Sequence, residues 1–545
     1  CIYTGEALDK KTPLLRSMKA IETQGRRVLD LFGDDSSDRV TTTLGAEQEY
    51  FLISEKDYEK RLDIMLTGRT LFGYPPVKGQ ELEEHYFGAI RPTVNEFMKE
   101  LDDELWALGI SAKTKHNEVA PAQHELAPIF AETNRAVDEN LLTMEKMRLL
   151  ASHYGLVCLL HEKPFEGING SGKHNNWSLS ASKNLFDPGE SPMDNLRFLV
   201  FLTGVIQAVD DYQELLRATV ASAGNDHRLG ANEAPPAIVS IFLGDELTSI
   251  VDAIAAGEDA VSHKMGRMDL GSEVLPSLEQ DNTDRNRTSP FAFTGNRFEF
   301  RMPGSELNLS SPNTVLNAAV AKSFKEYADR LEGAADAEAE AIAICRDVFN
   351  AHKRIIFNGN GYSEEWPIEA ERRGLANNRT TPDALAAYIE PASIELMDSF
   401  DILSESEMRA RYGVDMEHYA KVKNIEAMCM LDIANRIITP AVIKYSKVVA
   451  EEIVAKKSVN PDLSYETEEK LLERLSDCLH EMGLKTHALH KEAYDKETWP
   501  ERAAAYVELV VPAMDNLRSV ADRLEELTDR AYWPLPTYND MLFYV

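Results

Sequence analysis

Arg297-Phe298-Glu299-Phe300-Arg301 alternates charge and aromatic ring at every step. A period of two is that of a β-strand, which sets Arg297, Glu299 and Arg301 on one face and Phe298 and Phe300 on the other. The aromatic face asks for a core. The charged face cannot be buried unpaired, because an isolated buried ion is strongly disfavoured, so it needs a metal, a substrate or an opposing network of charge.

Other stretches repeat the pattern. Residues 41–53 read as a strand running through Gly45-Ala46-Glu47-Gln48-Glu49-Tyr50, with Glu47 and Glu49 on one face and Tyr50 and Leu52 on the other. Two neighbouring carboxylates repel unless a cation lies between them or one stays protonated. Glu118 and Glu125 lie seven apart in Asn117-Glu118-Val119-Ala120-Pro121-Ala122-Gln123-His124-Glu125, across a proline-containing turn. Asn169-Gly170-Ser171-Gly172-Lys173-His174-Asn175-Asn176-Trp177-Ser178 is a glycine-bearing loop entering a strand that aligns His174, Asn176 and Ser178 on one face. It is not a Walker loop, since Lys173 follows the wrong glycine spacing.

Two further stretches carry arginine. Residues 224–236, with Arg228 and Glu233, read as a long mobile loop, and Asp284-Arg285-Asn286-Arg287-Thr288-Ser289-Pro290 leads into the opening strand. The formal net charge is −33. Against that background Arg228, Arg287, Arg297 and Arg301 read as anion-binding groups, a role suited to the guanidinium fork. Hard carboxylate oxygens around a single imidazole suit Mg²⁺ or Mn²⁺. Two divalent ions facing arginine-held phosphates make an apparatus for phosphoryl transfer from ATP.

Composition bounds the rest. With 545 residues, 43% hydrophobic and 27% charged, the chain forms a large domain with additions, or two to four domains. Its acidity argues against nucleic acid and anionic membrane as partners. The longest apolar run, 198–209, is broken by Thr203 and Gly204 and is too short to span a bilayer. Five scattered cysteines without a Cys-x-x-Cys pair indicate a reducing, cytoplasmic setting. Helical periodicity is predicted over 13–32, 91–110 and 133–160, and on to about residue 217. Amphipathic spacing returns at Leu471, Leu475, Leu479 and Met482, and at Met514, Leu517, Val520 and Leu524. The opening Cys1, with neither an initiating Met nor a signal pattern, reads as a chain entered partway.

Together these motifs, in this order, resemble those of glutamine synthetases: Gly-Ala-Glu-Gln-Glu-Tyr at 45–50, Asn-Glu-Val-Ala-Pro-Ala-Gln-His-Glu at 117–125, Asn-Gly-Ser-Gly-Lys-His at 169–174, Arg-Leu-Gly-Ala-Asn-Glu-Ala-Pro at 228–235, and Asn-Arg-Thr-Ser-Pro followed by Arg-Phe-Glu-Phe-Arg. The long form with Asn-Asp-His-Arg-Leu-Gly-Ala-Asn-Glu-Ala-Pro-Pro is similar to the bacterial type III enzymes. The resemblance implies an α+β fold: an antiparallel curved sheet or half-barrel catalytic domain (glutamine synthetase/guanido kinase-like) with flanking helices over 1–425, a helical extension over 426–530, and a tail over 531–545 returning to the catalytic domain. It implies ligation of ammonia to L-glutamate with ATP and two or three Mg²⁺ or Mn²⁺ ions, in a homo-oligomer of stacked rings, a dodecamer. The family's N-terminal β-grasp domain has no match in residues 1–44, so the chain as given is expected to be an incomplete catalyst.

Carried over residue by residue, the resemblance implies that Glu49, Glu118 and Glu125 hold one metal and Glu47, His174 and Glu299 the other. Asn169, Gly170, Arg228 and Arg301 would bind glutamate. Phe130, Asn176, Ser178, Arg287 and Arg297 would bind ATP, and Glu233, with Arg228 and Arg287, would act in catalysis. Two alternatives stay open: a ligase of the same fold that joins glutamate to a larger amine, and a non-catalytic structural relative. Retention of six ligands argues against the second, because buried carboxylates without a role would be a standing cost in stability.

Overall fold

The computed structural model describes residues 2–3, 5–33, 39–230, 234–258, 267–268, 278–279, 288–493 and 499–543. Its main sheet comprises β1 (Thr41–Ser54), β2 (Ala112–Asn117), β3 (Gln123–Pro128), β4 (Ala131–Glu132), β5 (Leu156–Leu159), β6 (Lys173–Ser180), β7 (Ile241–Phe242), β8 (Phe291–Phe293) and β9 (Phe298–Phe300). The order is β2-β3-β1-β6-β9-β8-β7, with β4 and β5 also paired to β1, and the sheet is open. Only the pairing of β8 with β7 is parallel.

Fourteen-residue β1 is the spine. Its first half pairs with β6 from Thr41↔Ser180 to Gln48↔Lys173, and its second half pairs with β3 and then β5. β-branched Thr41, Thr42 and Thr43 start it, and apolar Tyr50, Phe51, Leu52 and Ile53 finish it, all four fully buried. The predicted alternation in β9 holds. Phe298 and Phe300 are fully buried, Phe298 stacking on Phe291 at 5.1 Å and meeting Phe186 edge-on at 5.2 Å. Behind this face lie α1 (Lys11–Asp30), α4 (Leu196–Asp211) and α6 (Ser310–Glu332). Trp177 Nε1 donates to Asn317 Oδ1 at 3.0 Å, which fixes the tilt of α6 against β6.

Other helices that bear on the site are α2 (Pro92–Ala107), α3 (Thr133–Ala151), α5 (Asn225–Arg228), α7 (Glu405–Ile433), α8 (Thr439–Val459), α9 (Glu466–Ala493) and α10 (Val511–Leu527). The apolar stripes read in the last two hold: Leu475 and Met482, then Met514, Leu517, Val520 and Leu524, are buried. α7 begins with a reciprocal capping box between Ser404 and Glu407 and runs unbroken through residue 425. Among the described residues no helix is long and apolar enough to cross a membrane.

Two expectations change. The helix predicted over 133–160 ends at Ala151. A short turn and Gly155 at φ 66° then reverse the chain into β5, whose continuous apolar run Leu156-Val157-Cys158-Leu159 gives no period by which to tell strand from helix. The stretch predicted as a mobile loop from 224 opens instead with the helical turn α5, whose Asn225 and Arg228 are buried.

Candidate active site

The strand pairings put the polar residues of five strands on one face. Glu47 pairs with His174, Gly45 with Asn176, Asn176 in turn with Glu299, Glu49 with Glu125, and Glu125 with His116. Directly paired residues share a face, so one row of side chains crosses β9, β6, β1, β3 and β2. His174 sits at its centre. Its Nδ1 lies 3.2 Å from Glu47 and 3.1 Å from Glu299, and its Nε2 lies 3.9 Å from Glu49. Glu299 also accepts from Arg301 Nη2 at 3.0 Å, and Glu47 accepts from Asn176 Nδ2 at 3.0 Å. The backbone N–H of Gly172 donates to Glu49 at 2.5 Å, which orients that carboxylate.

Glu118 enters from the β2–β3 turn. Its N–H donates to Gln123 O at 2.9 Å, and Ala122 adopts φ 62° so that the turn can close over Pro121. His116 bridges the two carboxylates of the hairpin, 3.1 Å from Glu125 and 3.5 Å from Glu118. Sequence reasoning gave His116 no role, although its place two residues before Glu118 in a strand was the signal for a shared site. Ligand atoms of Glu47, Glu125 and His174, and of His116, Glu118 and Glu125, lie within 4.8 Å of one another in each group.

Burial works against a charge on His174, but hydrogen bonds to Glu299 and Glu47 and the field of Glu49 outweigh it and keep the imidazole protonated well above the usual histidine range. Burial pushes Glu125 up, the hydrogen bond from His116 opposes this, and Glu47 and Glu49 push the same way as burial. The hydrogen bond to Glu125 raises His116 to about 9 against the effect of its burial. The carboxylates Glu47, Glu49, Glu125 and Glu299 thus favour positive charge between them, a setting that suits a divalent cation. All-oxygen donors with an imidazole fit Mg²⁺ or Mn²⁺.

Further along the row, Asn176 and Ser178 are nearly buried. Ser178 Oγ donates to Asn296 O at 2.8 Å. Phe130 stands 63% exposed at the same end of the row. A Cβ on Gly45 would lie 3.6 Å from Phe130 Cβ and 3.8 Å from Asn176 Cβ, which sets Phe130 and Asn176 side by side across that glycine. Lys173 points the opposite way, as the alternation requires: it is buried, donates to Leu307 O, and burial lowers it to about 7. That orientation removes it from any phosphate-binding role.

Asn169 lies in the loop before β6, where its N–H donates to Gln80 Oε1 at 2.9 Å and its Oδ1 accepts from Gln80 Nε2 at 2.5 Å. Gln80 is another residue that sequence reasoning did not single out. Gln123 Nε2 donates to the Gly170 carbonyl at 3.0 Å. Arg228, expected to reach substrate from a loop, is buried. Its guanidinium donates to the carbonyls of Arg301 at 3.1 Å, Met302 at 3.1 Å and Pro303 at 3.2 Å, because the helical turn of α5 draws it inward. It passes so close to Gly172 that a Cβ there would lie 2.2 Å from Nη2. Arg297 is exposed beyond β9, and Glu233 and Arg287 lie outside the described residues.

Carboxylates around two imidazoles, flanked by Arg301 and an exposed aromatic, fit an enzyme that works on anionic substrates with hard divalent cations. A family model for the glutamine synthetase catalytic domain matches residues 25–240, and one for the glutamine synthetase C-terminal domain matches residues 340–457. The chain belongs to the glutamine synthetase family. It is 46% identical over 559 residues to the glutamine synthetase of Butyrivibrio fibrisolvens, covering 100% of this chain and 78% of that protein. It is 42% identical over 556 residues to the Type-3 glutamine synthetase of Dictyostelium discoideum, covering 100% and 76%. With the glutamine synthetase of Bacteroides fragilis it shares 43% identity over 557 residues, covering 99% and 76%. Among solved structures, ligand-free GmaS overlays with a TM-score of 0.44 at 15% identity, over 76% of this chain and 74% of that one.

Proposed function

We propose that the chain supplies the catalytic sheet of an enzyme that ligates ammonia to L-glutamate to give L-glutamine, with γ-glutamyl phosphate as intermediate and ADP and phosphate as the other products. The observation that carries this reading is the single row of Glu47, Glu49, Glu125, His174 and Glu299, closed at one end by Glu118 and beside Arg301. Glu49, Glu118 and Glu125 would hold one cation and Glu47, His174 and Glu299 the other. Such cations neutralise phosphate oxygens and favour in-line displacement at phosphorus.

The chain's own groups do the rest. Arg301, with Asn169 and Gly170 on the adjoining loop, orients glutamate, and Arg228 secures the backbone that carries Arg301. A γ-carboxylate oxygen forms a bond to the γ-phosphorus of ATP as the bond to ADP breaks, with Arg297 and Arg287 taking up charge on the transferring group. Ammonium gives one proton to a carboxylate, the role assigned to Glu233, and the freed nitrogen attacks the acyl carbon; phosphate leaves with the bonding pair, and the second proton shed by the nitrogen balances as hydrogen phosphate. Excluding water at this stage protects the acyl phosphate from hydrolysis.

Glutamate labelled with ¹⁸O in its γ-carboxylate tests the intermediate. One labelled oxygen should appear in the released phosphate for each glutamine formed, and unlabelled phosphate would rule out the acyl phosphate. The nucleotide end has its own test. Phe130→Ala should raise the Kd for ATP about tenfold, in line with the ~1–3 kcal/mol an aromatic platform contributes beneath a base. Titration calorimetry reads this, and an unchanged Kd would remove Phe130 from the nucleotide pocket.

A further inference from the structure

α5 is one helical turn of four residues, too short to hold its own conformation, so its contacts must set its orientation. On one side it grips the end of β9. Asn225 Nδ2 donates to Met302 O at 2.9 Å, and Arg228 donates to the carbonyls of Arg301, Met302 and Pro303. On the other side it meets the C-terminal half of the chain. Asp226 accepts from the N–H and hydroxyl of Thr381 at 2.8 and 2.7 Å, and His227 Nε2 lies 2.8 Å from Lys423 Nζ on α7.

Lys423 is an unusual residue to find there. It is 1% exposed, and its ammonium also faces Glu426 at 3.1 Å and the Ala223 carbonyl at 3.4 Å. Glu426 is fully buried and in turn lies 3.5 Å from Arg69 Nε. Burying such a network stabilises less than an apolar core of the same volume would, so its retention calls for a reason other than stability. An ammonium beside an imidazole favours the neutral ring with Nε2 as acceptor, which makes the contact directional. None of these groups touches the carboxylate row. What they hold is the turn that holds the β9 end.

We propose that Lys423 is a positioning residue for the glutamate side of the site: through His227 and Arg228 it fixes the strand end that carries Glu299 and Arg301. The inference rests on the function proposed above. It assigns to helix α7, which lies outside the catalytic sheet, a part in substrate binding, because a displacement of about 1 Å in a substrate-positioning group costs up to ~100-fold.

The test uses the full-length protein with Mg²⁺, ATP, glutamate and ammonium. The variant Lys423→Met removes the ammonium and leaves Glu426 paired with Arg69, so no buried charge is stranded, and His227→Leu removes only the half-buried acceptor. Each should raise the KM for glutamate about tenfold while the KM for ATP stays within about twofold, and Lys423→Arg and His227→Gln, which keep donor and acceptor, should stay near wild type. A purely structural role would lower the melting temperature and leave both KM values alone. An unchanged KM for glutamate in folded His227→Leu, with an active wild type, would overturn this proposal and leave the proposed function standing. A wild type without turnover would overturn both.

Discussion

Replacing Glu299 by alanine is expected to lower ATP- and glutamate-dependent turnover by about a thousandfold or more, the scale on which preorganised charge acts at a phosphoryl-transfer centre. Glu299 stands where two demands meet. It accepts from His174 Nδ1 at 3.1 Å and from Arg301 Nη2 at 3.0 Å, so under the proposed function its loss would remove a cation ligand and release the arginine assigned to glutamate. Burial opposes its charge, yet His174 and Arg301 hold it ionised far into acid. The fold should tolerate the change. The neighbours Phe298 and Phe300 carry the packing of β9 on the opposite face, and removing one carboxylate relieves repulsion among those that remain. A denaturation midpoint within about 1 kcal/mol of wild type, together with abolished turnover, is the predicted pair of results. Near-normal turnover would show that Glu299 serves no cation.

The largest stability effect is expected far from that face, at Arg61. Its side chain is wholly buried and makes a bidentate pair with equally buried Asp63, at 2.9 and 2.6 Å. The same guanidinium donates to the carbonyls of Phe72 at 2.6 Å and Pro536 at 2.8 Å, tying the last segment of the chain to the first third. Arg61→Met would leave one carboxylate and two carbonyls in a dry interior without these donors, for a predicted loss of about 3–5 kcal/mol in chemical denaturation. Removing both charges in Arg61→Met, Asp63→Leu should recover much of it, since the burial penalty goes with the pair. A single variant within about 1 kcal/mol of wild type would mean that the segment around Pro536 is held by its apolar contacts alone.

The shared polar face was legible in the sequence because β-strand alternation is local. Glu47 and Glu49, His174 with Asn176, and Glu299 with Arg301 each declare a shared face within a few residues, and pairing across the sheet adds only register. Phe130 was reached through the family pattern, and the structure places it over Gly45. What escaped depends on contacts remote in sequence. Gln80 meets Asn169 from 89 positions away, and Lys423 meets His227 from 196 positions away. No period or motif encodes such partners. Arg228 is instructive in another way. A loop arginine between glycines and an acidic residue reads as solvated and ready for ligand, but the carbonyls of Arg301 and Met302 lie past the end of β9, and the nearby guanidinium donates to both. The run Leu156–Leu159 was misread for a simpler reason: unbroken apolarity is compatible with both helix and buried strand.

The most direct measurement is the formation of ADP and glutamine by the full-length protein with Mg²⁺, ATP and glutamate, comparing ammonium, methylamine and no nitrogen donor. The proposed function predicts ADP release that depends on ammonium and matches glutamine one for one. Release that depends on methylamine, or the absence of release with every donor, would contradict it.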